Sequence, residues 1–147
     1  MHIVIPADYQ QAVKNLRCFQ LLDGHTVTIL SDYTTDVETL AAQFAKADAI
    51  VLIRERTKIS EELLSRLPGL KLISQTGKVA GHLDLAACSK YKVAVAEGEG
   101  SPIAPAELTW SLILNARRQL PQAMEGMKQG LWQTNINTAL HEQLIGI

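Results

Sequence analysis

Five short runs rich in valine, isoleucine, leucine and alanine recur along this chain, and stretches with helical spacing separate them. The runs cover residues 3–5, 27–30, 49–53, 70–74 and 93–96. They are continuous rather than alternating in polarity, as a strand requires when helices bury both of its faces. A repeated order of strand and helix is typical of βαβ units, whose strands run parallel. The sequence therefore predicts an α/β fold built on a parallel sheet of about five strands.

Two of the intervening segments carry specific helix signals. Apolar residues at helical spacing over residues 12–22 predict a helix that packs on the sheet, and Gly24 is expected to end it in a left-handed conformation. Ser60 is expected to cap a second helix, because two glutamates follow in the first turn, where the helix dipole favours negative charge. Pro68 and Gly69 are expected to close this second helix.

The part after the fifth run has a different pattern. Residues 97–102 contain two glycines and a proline, and they predict a hinge. A helix is expected from Pro105 to Leu120, since leucine and alanine recur there four residues apart, and Pro121 should kink or restart it. A second helix should reach about residue 132, before a polar loop at 135–138.

The pattern divides the chain into two parts. Residues 1–100 are predicted to form the sheet domain, and residues 101–147 the hinge, the long helices and the start of a further domain. The last four residues, Leu-Ile-Gly-Ile, resemble the beginning of another strand whose continuation is missing.

Composition and charge exclude several classes of protein. Hydrophobic residues make up 47% of the 147 residues and charged residues 20%, a balance that indicates a folded globular chain. The formal net charge of -1 gives no general attraction to nucleic acid, and no run reaches the roughly 18 apolar residues of a membrane span. Cys18 and Cys88 lack a metal or redox spacing and are predicted to be core residues in a reducing cytoplasm. The four histidines also lack ligand spacing, so no metal site is predicted.

Ligands of an open parallel sheet bind beyond the carboxyl ends of its strands, so the residues that follow each run are the candidates. Arg54 follows the third run, where its guanidinium could bind a carboxylate or phosphate, or could pair with a surface acid. The glycine-containing turn at 76–81 follows the fourth run and can aim backbone N–H groups at an anion beside Lys78. Asp8 and Asp32 follow the first two runs, and we interpret them as cap or turn residues.

Several segments resemble the D-isomer-specific 2-hydroxyacid dehydrogenase family. The similarity spans the whole chain and is most specific between residues 52 and 109. The matching segments are LIRERTKI at 52–59, PGLKLIS at 68–74, Gly77, LDLAAC at 83–88, VAV at 93–95, PAELT at 105–109, GLW at 130–132 and LIGI at 144–147.

This resemblance implies a flavodoxin-like, doubly wound substrate domain and a long helix that enters the nucleotide domain and supports a homodimer. It places Arg54 near the substrate acid, the backbone of Gly77, Lys78 and Val79 at the substrate carboxylate, and Pro105 on the nicotinamide side. A proline has no N–H to offer there. The chain departs from the family at Val79 in place of the second glycine, and also at two further positions, Gly81 and Ser101.

The implied function is reversible hydride transfer between NAD or NADP and a small 2-hydroxy or 2-keto acid. No residue here matches the family's catalytic arginine, glutamate or histidine, and the sequence holds no GxGxxG motif. We therefore assign no catalytic residue, and we expect the nucleotide-binding half to be the missing partner. This chain alone is expected to be inactive and to bind no cofactor.

Two alternatives stay open. The chain could be a non-catalytic, flavodoxin-like binding or signalling module, although Arg54 stands where a receiver domain carries its phosphoacceptor aspartate. It could also be a dimerisation remnant of the same family, produced by a truncated gene, a designed fragment or proteolysis. A flavin-binding version would need a phosphate loop where the sequence has PADY at 6–9.

Overall fold

A five-stranded sheet organises the first of two compact units, Met1–Gly100 and Ser101–Ile147. The computed structural model describes residues 1–144 and residue 146. The strands are β1 (His2–Ile5), β2 (Thr26–Ile29), β3 (Ala49–Leu52), β4 (Leu72–Gln75) and β5 (Ala94–Glu97). Their order is β2-β1-β3-β4-β5, and all neighbouring strands run parallel. The predicted α/β fold with a doubly wound, flavodoxin-like sheet is therefore confirmed.

Three α-helices cover one face of this sheet, namely α1 (Val37–Phe44), α2 (Glu61–Ser65) and α3 (Leu85–Lys90). A capping residue precedes each helix, and its side-chain oxygen accepts a hydrogen bond from a backbone N–H of the first turn. The capping residues are Asp36, Ser60 and Asp84. The predicted Ser60 cap is thus confirmed, although α2 ends at Ser65, before Pro68. The core packs between these helices and the sheet, and its fully buried side chains include Phe44, Leu63 and Leu64 from the helices and Ile50, Leu52 and Ile73 from the strands.

The opposite face of the sheet carries a thinner layer. The α-helix predicted over residues 12–22 is wrong, because the segment forms two 3₁₀ helices, Val13–Asn15 and Arg17–Leu22, separated by Leu16 in an extended conformation. Hydrogen bonds between residues three apart replace the α-helical ones, and the extended Leu16 keeps the two short helices from joining into one. The predicted left-handed glycine is confirmed, since Gly24 has a φ of +85°.

The two cysteines occupy different environments. Cys88 of α3 is buried, as predicted, but Cys18 is exposed in the second 3₁₀ helix. The prediction of a core position for Cys18 is therefore wrong. The 3₁₀ winding has three residues per turn, and it turns Cys18 towards solvent while Phe19 and Leu22 pack on the sheet.

The second unit contains α4 (Ile103–Arg118) and α5 (Leu120–Lys128). The predicted kink exists, but the break lies at Gln119, which has a φ of 48° in the left-handed region, and Pro121 then occupies the first turn of α5. Leu120 consequently belongs to α5 and not to the end of the first helix, and α5 stops short of residue 132. The strand predicted at 144–147 includes Ile145 and Ile147, which lie outside the described residues.

Candidate substrate site

The carboxyl ends of β3, β4 and β5 bring together the residues that follow three of the predicted runs. The start of the turn after β4 is held from both neighbouring strands by backbone bonds: the Thr76 N–H donates to the Leu52 carbonyl at 3.0 Å, and the Gly98 N–H donates to the Gln75 carbonyl at 3.0 Å. Gly98 approaches this turn closely, since a Cβ there would lie 3.4 Å from the backbone of Thr76. The turn is thus fixed between its two neighbouring strands.

The turn at 77–79 binds a carboxylate, and that carboxylate belongs to Glu97. The Lys78 Nζ lies 2.7 Å from the Glu97 Oε1, and the Val79 N–H donates to the Glu97 Oε2 at 2.9 Å. We expected Glu97 in the hinge, but it is the last residue of β5, directly beside Gln75 of β4. The register between these strands therefore places an acidic side chain over the predicted anion site.

The electrostatics agree with this contact. The Lys78 ammonium, and after it the Val79 N–H, holds the pKa of the Glu97 carboxyl below its ordinary value. Glu97 is accordingly ionised at neutral pH, and the stability that this contact contributes is lost as the pH falls through the lowered pKa. Both side chains remain accessible, since Lys78 is 65% exposed and Glu97 is 41% exposed.

Arg54 lies at the same edge of the sheet in an unusual backbone conformation. Its φ of 52° falls in the left-handed region, which a residue with a Cβ adopts only when its surroundings hold it there. The Arg54 N–H donates to the Thr76 Oγ1 at 3.4 Å, and the Arg54 carbonyl accepts from the Gln75 Nε2 at 3.1 Å. Among the described residues, no acidic side chain pairs with the Arg54 guanidinium, and Glu61 pairs with Lys90 instead. The alternative in which Arg54 pairs with a surface acid thus has no supporting contact in the described part of the chain.

The conformation of Arg54 depends on two residues that the sequence did not single out. Gln75 is 2% exposed, and its Oε1 accepts a hydrogen bond from the His82 Nε2 at 3.0 Å. Because the Gln75 amide nitrogen donates to Arg54, the Gln75 oxygen must be the acceptor, and the His82 Nε2 is therefore the donor in this contact. The His82 Nδ1 is buried without a hydrogen-bond partner in the described part of the chain. Gln75 and His82 together connect the turn after β4 to the loop after β3.

A second arginine fixes the loop after β1. The Arg56 guanidinium lies 4.0 Å from the centre of the Tyr9 ring, and it donates to the Ala7 carbonyl at 2.8 Å and to Gln10. Asp8, which is 2% exposed, accepts hydrogen bonds from the backbone N–H groups of residues 12 and 13. The Asp8 carboxylate therefore stabilises the turn after β1, in agreement with the cap or turn role that we interpreted for it, while Asp32 is exposed.

The remaining predicted cofactor contact lies in the second unit. Pro105 occupies the first turn of α4, is exposed and has no backbone N–H. Its carbonyl accepts from the Thr109 Oγ1 at 2.8 Å, within the helix. Pro105 therefore offers a ligand no backbone donor, and its predicted contact with the cofactor stays a prediction.

The described residues contain no group of three or more histidine, cysteine or acidic side chains that could hold a metal ion. None of their helices combines the length and the apolar character that crossing a membrane requires.

The geometry defines an α/β domain in which a turn at the carboxyl edge of the sheet binds the Glu97 carboxylate. Comparisons with known proteins identify the family of α/β proteins to which this domain is similar. The family model for the catalytic domain of D-isomer specific 2-hydroxyacid dehydrogenases matches residues 4–142. The chain therefore belongs to this family.

Individual relatives agree. D-3-phosphoglycerate dehydrogenase from Sus scrofa is 26% identical over 133 residues, which cover 88% of this chain and 25% of the relative. A phosphoglycerate oxidoreductase from Vibrio cholerae o395 is 50% identical with a TM-score of 0.85, and the match covers 95% of this chain and 46% of that one. D-lactate dehydrogenase from Escherichia coli shares the fold, with a TM-score of 0.75 at 14% identity, over 95% of this chain and 45% of that one. The chain thus spans about a quarter of the curated relative and less than half of either solved structure.

Proposed function

We propose that this chain supplies the substrate-binding side of an NAD(P)-dependent D-2-hydroxyacid dehydrogenase. The observation that carries the proposal is the carboxylate bound by Lys78 and the Val79 N–H, because every 2-hydroxy or 2-keto acid presents the same group. Family membership supports the reaction class. A bound nicotinamide would supply the acceptor for the hydride of C2 in that reaction, and the hydroxyl proton would need a base.

The residues of this chain have a limited part in such a reaction. Gly77, Lys78 and Val79 would hold the substrate carboxylate, and Arg54 would approach it from the neighbouring loop with a planar guanidinium. Fixing the carboxylate orients C2, and orientation is a large part of what an enzyme contributes to a reaction between two bound molecules. We assign no proton-transfer group to this chain, and we place the dinucleotide, NAD or NADP, in residues outside this sequence. A homodimer and a cytoplasmic location remain predictions.

A binding experiment tests the proposed site. We expect D-lactate, added to the ¹⁵N-labelled chain, to shift the amide signals of Gly77, Lys78 and Val79 in a saturable manner. Arg54→Ala should weaken this binding about tenfold, the value of one charge-assisted hydrogen bond. The change keeps a Cβ at the left-handed position, so it adds no new backbone strain.

Arg17→Ala is the matched control, because Arg17 is an exposed arginine in a 3₁₀ helix that contributes nothing to the turn after β4. This control should bind D-lactate as the unchanged chain does. Equal affinity in all three proteins would remove Arg54 from the site. Signals at residues 77–79 that do not move would remove the turn as well.

A second candidate function is self-association. Apolar side chains of α4 are exposed, among them Trp110 at 55% and Leu112 at 61%, a pattern typical of a surface that contacts another protein. This candidate is compatible with the first, since many oligomeric enzymes bind substrate in each subunit.

A further inference from the structure

The carboxylate bound at the turn after β4 comes from the chain itself. Glu97 uses both of its oxygens, one with the Lys78 ammonium and one with the Val79 N–H. A lysine ammonium has three hydrogens and can serve two acceptors, but a backbone N–H has only one. A substrate carboxylate that takes the Val79 N–H must therefore displace the Glu97 side chain.

We propose that Glu97 is a specificity-determining residue that selects substrates by their charge. This inference rests on the proposed substrate site. The Glu97 carboxylate occupies the position of the substrate carboxylate and must leave when the substrate binds. Its charge then remains near the site and disfavours substrates that carry a second anionic group. The Glu97 side chain thus sets both the affinity of the site for a substrate and its preference for the substrate's charge.

The surroundings of Glu97 allow this displacement. Its backbone pairs with Gln75 in the ladder between β4 and β5, and the next residue, Gly98, donates to the carbonyls of Gln75 and Gly77. The main chain is therefore fixed, while the side chain is 41% exposed and can rotate into water. An ion pair between exposed groups is weak, because water solvates both charges once they separate. The contact is strong enough to occupy the site and weak enough to be replaced.

The charge preference follows from the sum of the local charges. Lys78 attracts an anion to the turn, but Glu97 cancels this charge even after its carboxylate has left the Val79 N–H. A ligand with one carboxylate needs only the N–H and a partly shielded ammonium. A ligand with an additional phosphate ester brings roughly two further negative charges, which repel Glu97 more strongly.

Two 2-hydroxy acids provide the test, because D-lactate carries one negative charge and D-3-phosphoglycerate adds a phosphate to a similar three-carbon skeleton. Their dissociation constants would be measured by NMR titration on the unchanged chain, on Glu97→Gln and on Glu97→Ala. Glu99→Gln is the matched control, since Glu99 is an exposed acid two residues beyond Glu97, and Lys78 and Val79 bind Glu97 rather than Glu99. Amide spectra of each protein would establish that it is folded.

We expect both Glu97 variants to bind D-lactate about fivefold more tightly, the value of removing one exposed ion pair as a competitor. The gain for D-3-phosphoglycerate should be larger, and Glu99→Gln should change neither constant. Unchanged or weaker binding in both Glu97 variants, with the signals of residues 77–79 still shifting, would overturn the role of Glu97 and leave the proposed function intact. If these signals shift in no protein with either acid, the proposed substrate site fails and this inference fails with it.

Discussion

The two compact units of the chain are built in different ways. The first unit buries a continuous set of apolar side chains between its sheet and the helices α1, α2 and α3. In the second unit, α4 has no buried residue, and Gly126 is the only buried residue of α5. Gly126 is close to Thr134, since a Cβ there would meet the threonine Oγ1 at 3.0 Å. Helix-internal hydrogen bonds and short contacts thus hold the second unit, whereas a hydrophobic core holds the first.

This difference indicates where a precise site can be built. A binding site needs side chains that are held by packing and hydrogen bonds, and the carboxyl edge of the sheet provides both. Arg54 keeps its left-handed conformation there because the buried Gln75 binds its carbonyl. The exposed apolar surface of α4 is instead suited to a contact that covers it.

The largest expected effect is on the stability of the first unit. Leu63→Ala should lower the free energy of unfolding by about 3 kcal/mol, because it removes a fully buried side chain and leaves a cavity. Leu112→Ala is the control in α4, where the leucine is 61% exposed, and at a protein concentration low enough to keep the chain monomeric it should cost no more than about 0.5 kcal/mol. Urea unfolding of both variants measures the difference. Equal losses would mean that α4 is buried in the protein in solution.

A smaller effect is expected on self-association. Sedimentation velocity should show a dimer or a larger species, because α4 exposes several large apolar side chains. Leu112→Glu should weaken that association about tenfold by placing a charge in the contact surface. Leu21→Glu, at a leucine that is 82% exposed in the first unit, should leave it unchanged. If Leu21→Glu dissociates the dimer and Leu112→Glu does not, the contact surface lies on the first unit instead.

The sequence predicted the sheet well because its signal is local. A continuous apolar run identifies a buried strand without knowledge of its neighbours, and each observed strand lies within two residues of its run. The Ser60 cap was predictable for the same reason, since a cap depends only on residues in the next turn. The segment 12–22 was not, because its apolar spacing also fits two short 3₁₀ helices that pack Phe19 and Leu22 on the sheet.

The site was predicted only in part. Arg54 and the turn at 77–79 were singled out because they come soon after apolar runs, and the roles given to them remain to be tested. The contact between Lys78 and Glu97 joins residues 19 apart and depends on the register between β4 and β5, which the sequence does not reveal. Gln75 and His82 were missed for a similar reason, because a polar residue at a strand end is informative only when its buried partner is known.

The most direct test of the division between substrate and cofactor binding is calorimetry on the unchanged 147-residue chain with two ligands. We expect a saturable heat with D-lactate, bound through Arg54 and the turn at 77–79. We expect no binding heat with NADH, because the sequence has no glycine-rich turn to accommodate a pyrophosphate. An absorbance assay with NADH and a panel of 2-keto acids should likewise stay at the background rate. Saturable NADH binding, or turnover above background by this chain alone, would contradict the assignment of the chain to the substrate side.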